Sequence, residues 1–383
     1  MYIASAQGLE QSLPRWQQAA PLALDTEFIR VDTFFPRLGL VQLGDGQGEA
    51  LVDPLAIPSL QALAPLLGPS GPCKVLHACS EDLEVLSPLV PQGLGVIHDT
   101  QIALAMLGEG LQVGYQKALQ LMLGIDIPKD ASRSDWLARP LSVQQCDYAA
   151  LDVRHLPALY SAARERLQAR ELWPLFVAEC AEVCRPVALP DPELVWLDHP
   201  NAWRLPPKAL AVLQTLMAWR EREAVARDVP RGHLLKPLSL FEMARLQPRT
   251  MRELQQIDEL NPRVARRDGE ALLALIADAT SLPPSEWPMP LPMPLPREAG
   301  RVFDALKQSL QPVAERLQLP MEVLWRKRLA EQVVLAAVDD GLEAGLAVIP
   351  GWRAGHLPDA VAGVLNQHRD ALAAWRKQRH AGV

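Results

Sequence analysis

Leu22-Ala23-Leu24-Asp25-Thr26-Glu27-Phe28 is an apolar run with two acids set into it. Leu22, Leu24, Phe28 and Ile29 read as a short buried strand. Strand side chains alternate between faces, so Asp25 and Glu27 share one face. Two adjacent carboxylates repel, and desolvating them costs roughly several kcal/mol each. A cation between them removes that conflict, and hard carboxylate oxygens suit Mg²⁺ or Mn²⁺. The pair alone is equally compatible with an edge strand whose acidic face lies in water.

The chain has 383 residues, too many for one ordinary core, so two or three domains are expected. It is 49% hydrophobic and 22% charged, the composition of a globular protein in water. No apolar run spans a bilayer, and the start lacks a basic region followed by an apolar one. Five cysteines (73, 79, 146, 180 and 184) form no CxxC pair and read as reduced thiols, so a cytoplasmic location is expected. Cys180 and Cys184 can share a helix face, but two thiols without a third soft ligand make a poor metal site. A net charge of −7 argues against a protein that coats nucleic acid non-specifically. The charge is unevenly spread: residues 1–170 hold 12 Lys and Arg against 18 Asp and Glu, whereas residues 201–280 hold 13 against 10.

A lead-in strand and amphipathic helix are expected before the acidic strand. Leu38–Leu43 and Glu49–Val52 then complete a three-strand antiparallel meander, separated by Gly44, Gly46 and Gly48. Ile57 to Leu67 has helical spacing. Lys74–Ala78 and Gly95–His98 read as further strands, each followed by a helix, the first capped by Ser80 and the second by Asp99-Thr100. A long helix is expected from Ser142 to about Arg170. Strands alternating with helices give a mixed α/β sheet covered by helices. The expected layout is an α/β domain at 1–170, a connector at 171–206, and an all-α domain at 207–280. A linker at 281–296 follows, with seven prolines in sixteen positions, which reads as an extended spacer. A second all-α domain takes 297–383.

Two further stretches bring acids. Asp82 lies in Ser80-Glu81-Asp82-Leu83-Glu84, at a helix start where acids are common for capping reasons. Tyr148 and Asp152 in Tyr148-Ala149-Ala150-Leu151-Asp152 are one turn apart and share a helix face. Ala149 and Ala150 allow that helix to approach the sheet closely. Taken singly, each of these is also an ordinary surface feature.

Together, Asp25, Glu27, Asp82, Tyr148 and Asp152 resemble the motif set of the DEDD exonucleases that carry a tyrosine. Leu24–Phe28, Pro36–Leu43, His77–Val85, Asp99-Thr100-Gln101 and Asp147–Val153 are similar to the ribonuclease D family. That resemblance covers most of residues 1–170 and implies a ribonuclease H-like mixed sheet. Leu213, Leu216, Trp219-Arg220-Glu221, Asp228-Val229-Pro230-Arg231 and Leu234-Leu235 resemble the helicase-and-RNase-D C-terminal (HRDC) module. Residues 297–383 resemble a second, degenerate copy without the Asp-Val-Pro-Arg segment.

The resemblance implies a 3′→5′ exoribonuclease that releases nucleoside 5′-monophosphates and trims tRNA precursors and other structured RNAs. It implies that Asp25, Glu27, Asp82 and Asp152 bind two divalent ions, Mg²⁺ or Mn²⁺, and that Tyr148 orients the attacking water. Such ions, about 3.5–4 Å apart, hold the nucleophile and the departing oxygen. Phe28 is a candidate for stacking on a terminal base, with core packing an equal alternative, and His77 and His98, at strand ends, are candidates for touching substrate, although a buried, satisfied histidine is the commoner fate. Arg231 and Lys236, with Arg245 and Arg249, are candidates for tracking RNA phosphates. RNA is the expected partner, with no membrane, and the chain is expected to be a monomer. A DNA-directed exonuclease is the nearest rival, and a silent nucleic-acid scaffold the next. No polymerase or helicase motif supports the first, and the complete acid set argues against the second.

Overall fold

The computed structural model describes residues 1–128, 134–185 and 188–381. They form two compact units: Met1–Ile29, Pro36–Val187 and Gly300–Arg369 in one, Arg30–Phe35, Ala188–Ala299 and Asp370–Val383 in the other.

The first unit is built on a mixed sheet of strands β1 (Tyr2–Ile3), β2 (Leu22–Ile29), β3 (Arg37–Gly44), β4 (Glu49–Val52), β5 (Lys74–Leu76) and β6 (Ile97–Asp99). Their spatial order is β1-β4-β3-β2-β5-β6. The antiparallel meander expected from the sequence is present as β2-β3-β4, and β5 and β6 extend it in parallel. In β2, Leu22, Ala23 and Leu24 are fully buried, which pins the strand in the middle of the sheet. The register sets Asp25 opposite Gln42 and Glu27 opposite Leu40, then shifts between Glu27 and Phe28. Such a bulge re-aims the residues after it. It falls immediately beyond the two acids.

Helices α1 (Ala6–Gln17), α2 (Ala64–Leu67), α3 (Ser80–Leu86), α4 (Thr100–Leu107), α5 (Tyr115–Leu123), α6 (Val143–Arg154), α7 (Leu156–Ala169) and α8 (Trp173–Val183) complete this part. Helix α6 begins with a capping box in which Ser142 and Gln145 satisfy each other's backbone N–H groups. It packs on β2, β3 and β4. Gly44 permits that approach, because a Cβ there would lie 2.9 Å from the carbonyl oxygen of Val153. The small Ala149 is fully buried beneath the helix.

Three local expectations change. The long helix from Ser142 is two helices, broken at His155, after which Pro157 opens α7. The helix expected from Ile57 starts only at Gln61, as a 3₁₀ turn before α2. Ahead of it the Asp53 carboxylate accepts the N–H groups of Leu55 and Ala56, which holds a turn there. Cys79, not Ser80, occupies the cap position of α3 and offers no side-chain bond. The N–H groups of Ala78 and Cys79 instead donate to Asp99, which also caps α4 through Gln101.

The second unit holds α9 (Pro207–Ala226), α10 (Arg231–Leu234), α11 (Pro237–Leu246), α12 (Met251–Leu254) and α13 (Pro262–Ser281) around a core that includes Leu213, Leu216, Leu240, Met243, Leu254 and Leu272. Helices α14 (Gly300–Leu317), α15 (Met321–Leu324), α16 (Lys327–Asp339), α17 (Leu342–Ala347) and α18 (Pro358–Gln367) pack with the first unit, and α19 (Arg369–Arg379) lies almost wholly in the second. The proline-rich stretch around 288–296 has no regular secondary structure, and Met293 donates its N–H to the Arg379 carbonyl within the second unit. Among the described residues no helix is long and apolar enough to cross a membrane.

Within the first unit, the C-terminal helices are fastened by Glu179 of α8. Its side chain is fully buried and accepts from Arg353 (2.6 Å), Arg326 (2.5 Å) and the Trp352 indole (2.8 Å). Arg353 is itself 3% exposed, so removing the acid strands a buried cation. Glu179→Ala is therefore expected to destabilise the protein by about 3–5 kcal/mol. Glu179→Gln, which keeps acceptor and shape, should cost less. Urea denaturation followed by tryptophan fluorescence checks the order.

Candidate active site

A cavity of about 250 Å³ opens over the C-terminal half of β2. Its wall contains Asp25, Glu27, Asp82, Glu81 and Asp152, together with Thr26, Phe28, His77, Tyr115 and Tyr148. Each acid comes from a rigid element: Asp25 and Glu27 from β2, Asp82 from the first turn of α3, Asp152 from α6. Among the described residues, no lysine or arginine lines it.

Carboxylate oxygens of Asp25, Glu27 and Asp152 lie within 4.8 Å of one another. Asp82 stands against them but is held differently: its Oδ1 accepts the hydroxyl of Thr26, the residue between the two β2 acids. Gln42, opposite Asp25 in the register, donates its amide to Asp25 Oδ2 at 3.4 Å. Tyr148 bonds the Asp152 carboxylate one turn along α6. Its ring lies 6.1 Å from that of Trp136, which is buried. Tyr115 donates its hydroxyl to the Leu151 carbonyl, bracing the same turn of α6.

The electrostatics follow from this crowding. Burial first, and then the fields of Asp82, Asp152 and Glu27, push Asp25 well above the usual carboxylate range. Glu27 is raised to about 8, by burial and then by Asp152 and Asp82. Asp82 and Asp152 are each pushed up to about 7, chiefly by burial. Tyr148 is raised by burial and by the neighbouring carboxylates, so its phenol stays protonated at neutral pH. A cavity that gathers acids without a basic side chain has the donor chemistry of a divalent-cation site, since hard oxygen ligands are what such ions require.

The other sequence candidates separate into two groups. Phe28 is half-buried and lines the cavity, and so does His77. Both ring nitrogens of His77 are engaged, one with Thr100 Oγ1 and the other with the Val113 carbonyl, each at 2.8 Å. The ring therefore shapes the wall and has no free nitrogen for substrate. His98 lies in the core against Tyr160. Arg231 and Lys236 belong to the second unit and do not line this cavity. The Arg231 guanidinium grips Glu221 with two nitrogens and lies 4.6 Å over the Phe34 ring. Lys236 is exposed, 3.7 Å from Glu259. Thr26, Gln42, Glu81 and Tyr115 were not singled out from the sequence. The first three sit inside stretches already quoted for their acids or apolar residues; Tyr115 carries no local signal.

A carboxyl whose pKa is raised by folding stabilises the fold fully below its unfolded value, near 4, and loses that contribution as pH climbs through the folded value. With divalent ions chelated, the stability advantage of Asp25→Asn over the unsubstituted protein should therefore grow between about pH 4 and pH 8. Thermal midpoints in EDTA across that range check this, and a constant difference would contradict the crowded-acid geometry.

Residues 1–168 match a family model described as 3′-5′ exonuclease, and residues 209–276 match the HRDC domain. The chain is 41% identical to ribonuclease D of Pseudomonas paraeruginosa over 367 residues, 95% of this chain and 97% of that one. It is 35% identical to ribonuclease D of Escherichia coli, over 91% and 93% of the two chains. The crystal structure of the Escherichia coli enzyme, an exoribonuclease involved in structured RNA processing, superposes with a TM-score of 0.88 over 96% of this chain and 99% of that one. The catalytic core of RRP6 from Trypanosoma brucei, at 20% identity, shares the fold with a TM-score of 0.58 over 73% and 80%. With the exonuclease match falling on the domain that holds the acidic cavity, the chain belongs to the ribonuclease D family of 3′-5′ exoribonucleases.

Proposed function

We propose that Asp25, Glu27, Asp82 and Asp152 hold two divalent ions, Mg²⁺ or Mn²⁺, and that the enzyme removes nucleotides one at a time from the 3′ ends of tRNA precursors and other structured RNAs. The observation that carries this reading is the convergence of these four acids, with no basic side chain beside them among the described residues, in one cavity of an exonuclease-family domain. When bound, such ions activate water and stabilise the departing 3′ oxygen.

The chain's own residues supply position. Tyr148 stays a neutral phenol, so it orients the attacking water by hydrogen bonding and does not take its proton. The bond formed joins the water oxygen to phosphorus; the bond broken is P–O3′, and the phosphate leaves on the released nucleotide as a 5′-monophosphate. Phe28, half-buried at the cavity, offers a ring face to the terminal base. His77, with both nitrogens bonded internally, stiffens the opposite wall.

For attraction of RNA we assign the exposed arginines around α12 and α13. Arg249, Arg252, Arg263 and Arg266 are solvent-exposed, and none has a salt bridge among the described residues. Arg231, by contrast, is committed to Glu221 and Phe34, and its role is in the packing of the second unit.

Two experiments test these assignments. RNA labelled at its 5′ end, with Mg²⁺ or Mn²⁺, should shorten stepwise from the 3′ end with 5′-monophosphates as product. Asp25→Asn and Asp152→Asn should each lower kcat at least about 100-fold, and Tyr148→Phe about 10- to 100-fold. Early internal fragments or 3′-monophosphates would contradict the chemistry. In the second experiment, Arg249→Glu with Arg263→Glu should raise KM for tRNA precursors with kcat nearly unchanged, and weaken the salt dependence of KM. Arg231→Glu should instead lower the unfolding midpoint, because it places a like charge against buried Glu221.

A further inference from the structure

The carboxylate cavity uses none of the five cysteines, yet the fold brings three of them near one acid. Cys79 stands at the cap position of α3, Asp99 at the cap of α4, and Cys184 at the end of α8. Sγ of Cys79, Sγ of Cys184 and a carboxylate oxygen of Asp99 lie within 4.8 Å of one another, and all three residues are buried. Cys180, one helical turn before Cys184 and also buried, hydrogen-bonds to it. From the sequence, Cys180 and Cys184 lacked a third soft ligand. The turn before α3 provides it.

We propose that Cys79, Cys184 and Asp99, with Cys180 as the fourth donor, form a site for a thiophilic divalent cation of the zinc class. The Cys79–Cys184 Sγ separation is 3.6 Å. Tetrahedral zinc with Zn–S bonds of about 2.3 Å requires neighbouring sulfurs about 3.8 Å apart. Asp99 Oδ1 accepts from Ala78 and Gln101 and Oδ2 accepts the Cys79 N–H, while the Cys79 thiol also hydrogen-bonds to this carboxylate, so thiol and acid already face each other. Three thiols and one carboxylate are a soft donor set, whereas the catalytic cavity offers oxygen alone, so the two sites select different ions. Binding replaces each ligating S–H proton, which passes to solvent, with a metal–sulfur bond. The ion would tie together the starts of α3 and α4 and the end of α8, and so brace the turn that leads into Asp82.

The test uses the full chain, produced in zinc-supplemented medium so that folding occurs with the metal present, then washed with excess Mg²⁺ under a phosphine reductant. Elemental analysis should give about one zinc per chain, retained in Asp25→Asn and lowered at least about tenfold in Cys184→Ser and in Cys79→Ser. Protein produced in cobalt medium should show near-ultraviolet thiolate-to-cobalt absorption, which carboxylates alone cannot generate. Zinc well below stoichiometry in the unsubstituted protein would overturn the site. So would zinc retained in the Cys79→Ser, Cys184→Ser double variant. If Cys79→Ser fails to fold, Cys184→Ser and the cobalt spectrum decide the matter by themselves.

Discussion

Mutual repulsion among half-buried, crowded carboxylates is the constraint around which the first unit is arranged. Asp25, Glu27 and Asp152 offer oxygens within 4.8 Å of one another, with Asp82 alongside and, among the described residues, no cationic side chain in the cavity wall. Left to side-chain freedom, four acids would separate. They are prevented from doing so by backbone that has little freedom to move: a strand buried at its start by Leu22, Ala23 and Leu24, and a helix seated on the sheet through Ala149. Burial raises each of these carboxyl pKa values, and the fields of neighbouring acids raise Asp25 and Glu27 further. An arrangement that is costly without counter-charge is also one that binds cations strongly, because binding relieves the repulsion the fold imposes.

Much of this was legible in the sequence for local reasons. Two acids at strand spacing must share a face, and a Tyr and an Asp one helical turn apart must be neighbours, whatever surrounds them. Asp99 and Ser142 cap the helices that follow them, as short polar side chains do before an apolar run. Where local rules failed, a tertiary partner had taken over. Ser80 is not the cap of α3 because Asp99, from the next strand, already receives the N–H groups there. The Thr26–Asp82 bond joins residues 56 positions apart, and Tyr115 braces α6 across 36. Neither separation leaves a trace in periodicity.

The same distinction governs the basic surplus of the second unit. A charge balance counts residues, whereas an RNA phosphate meets only those cations that remain exposed and unpaired. Arg227 is spent on Glu223 and Asp268, Arg245 on Glu242 and Arg267 on Asp268. Arg231 is spent twice over, on Glu221 and on the face of Phe34. The Asp-Val-Pro-Arg segment that marks this module thus acts in packing. Asp228 adopts a positive φ of 48° and its carboxylate accepts the N–H groups of Phe34 and Phe35. Phe34 is in turn buried with Ala224 and Leu234.

Residues Arg30–Phe35 are counted with the second unit, yet they continue directly from β2, whose last residues include Glu27 and Phe28. Two charge-assisted hydrogen bonds to Asp228 and a buried aromatic ring fix the far end of this segment. The near end is fixed by the sheet, where the pairing of β2 with β3 shifts register between Glu27 and Phe28. Asp25 and Glu27 lie on the sheet side of that shift, where Leu22, Ala23 and Leu24 and the pairing with β3 hold them.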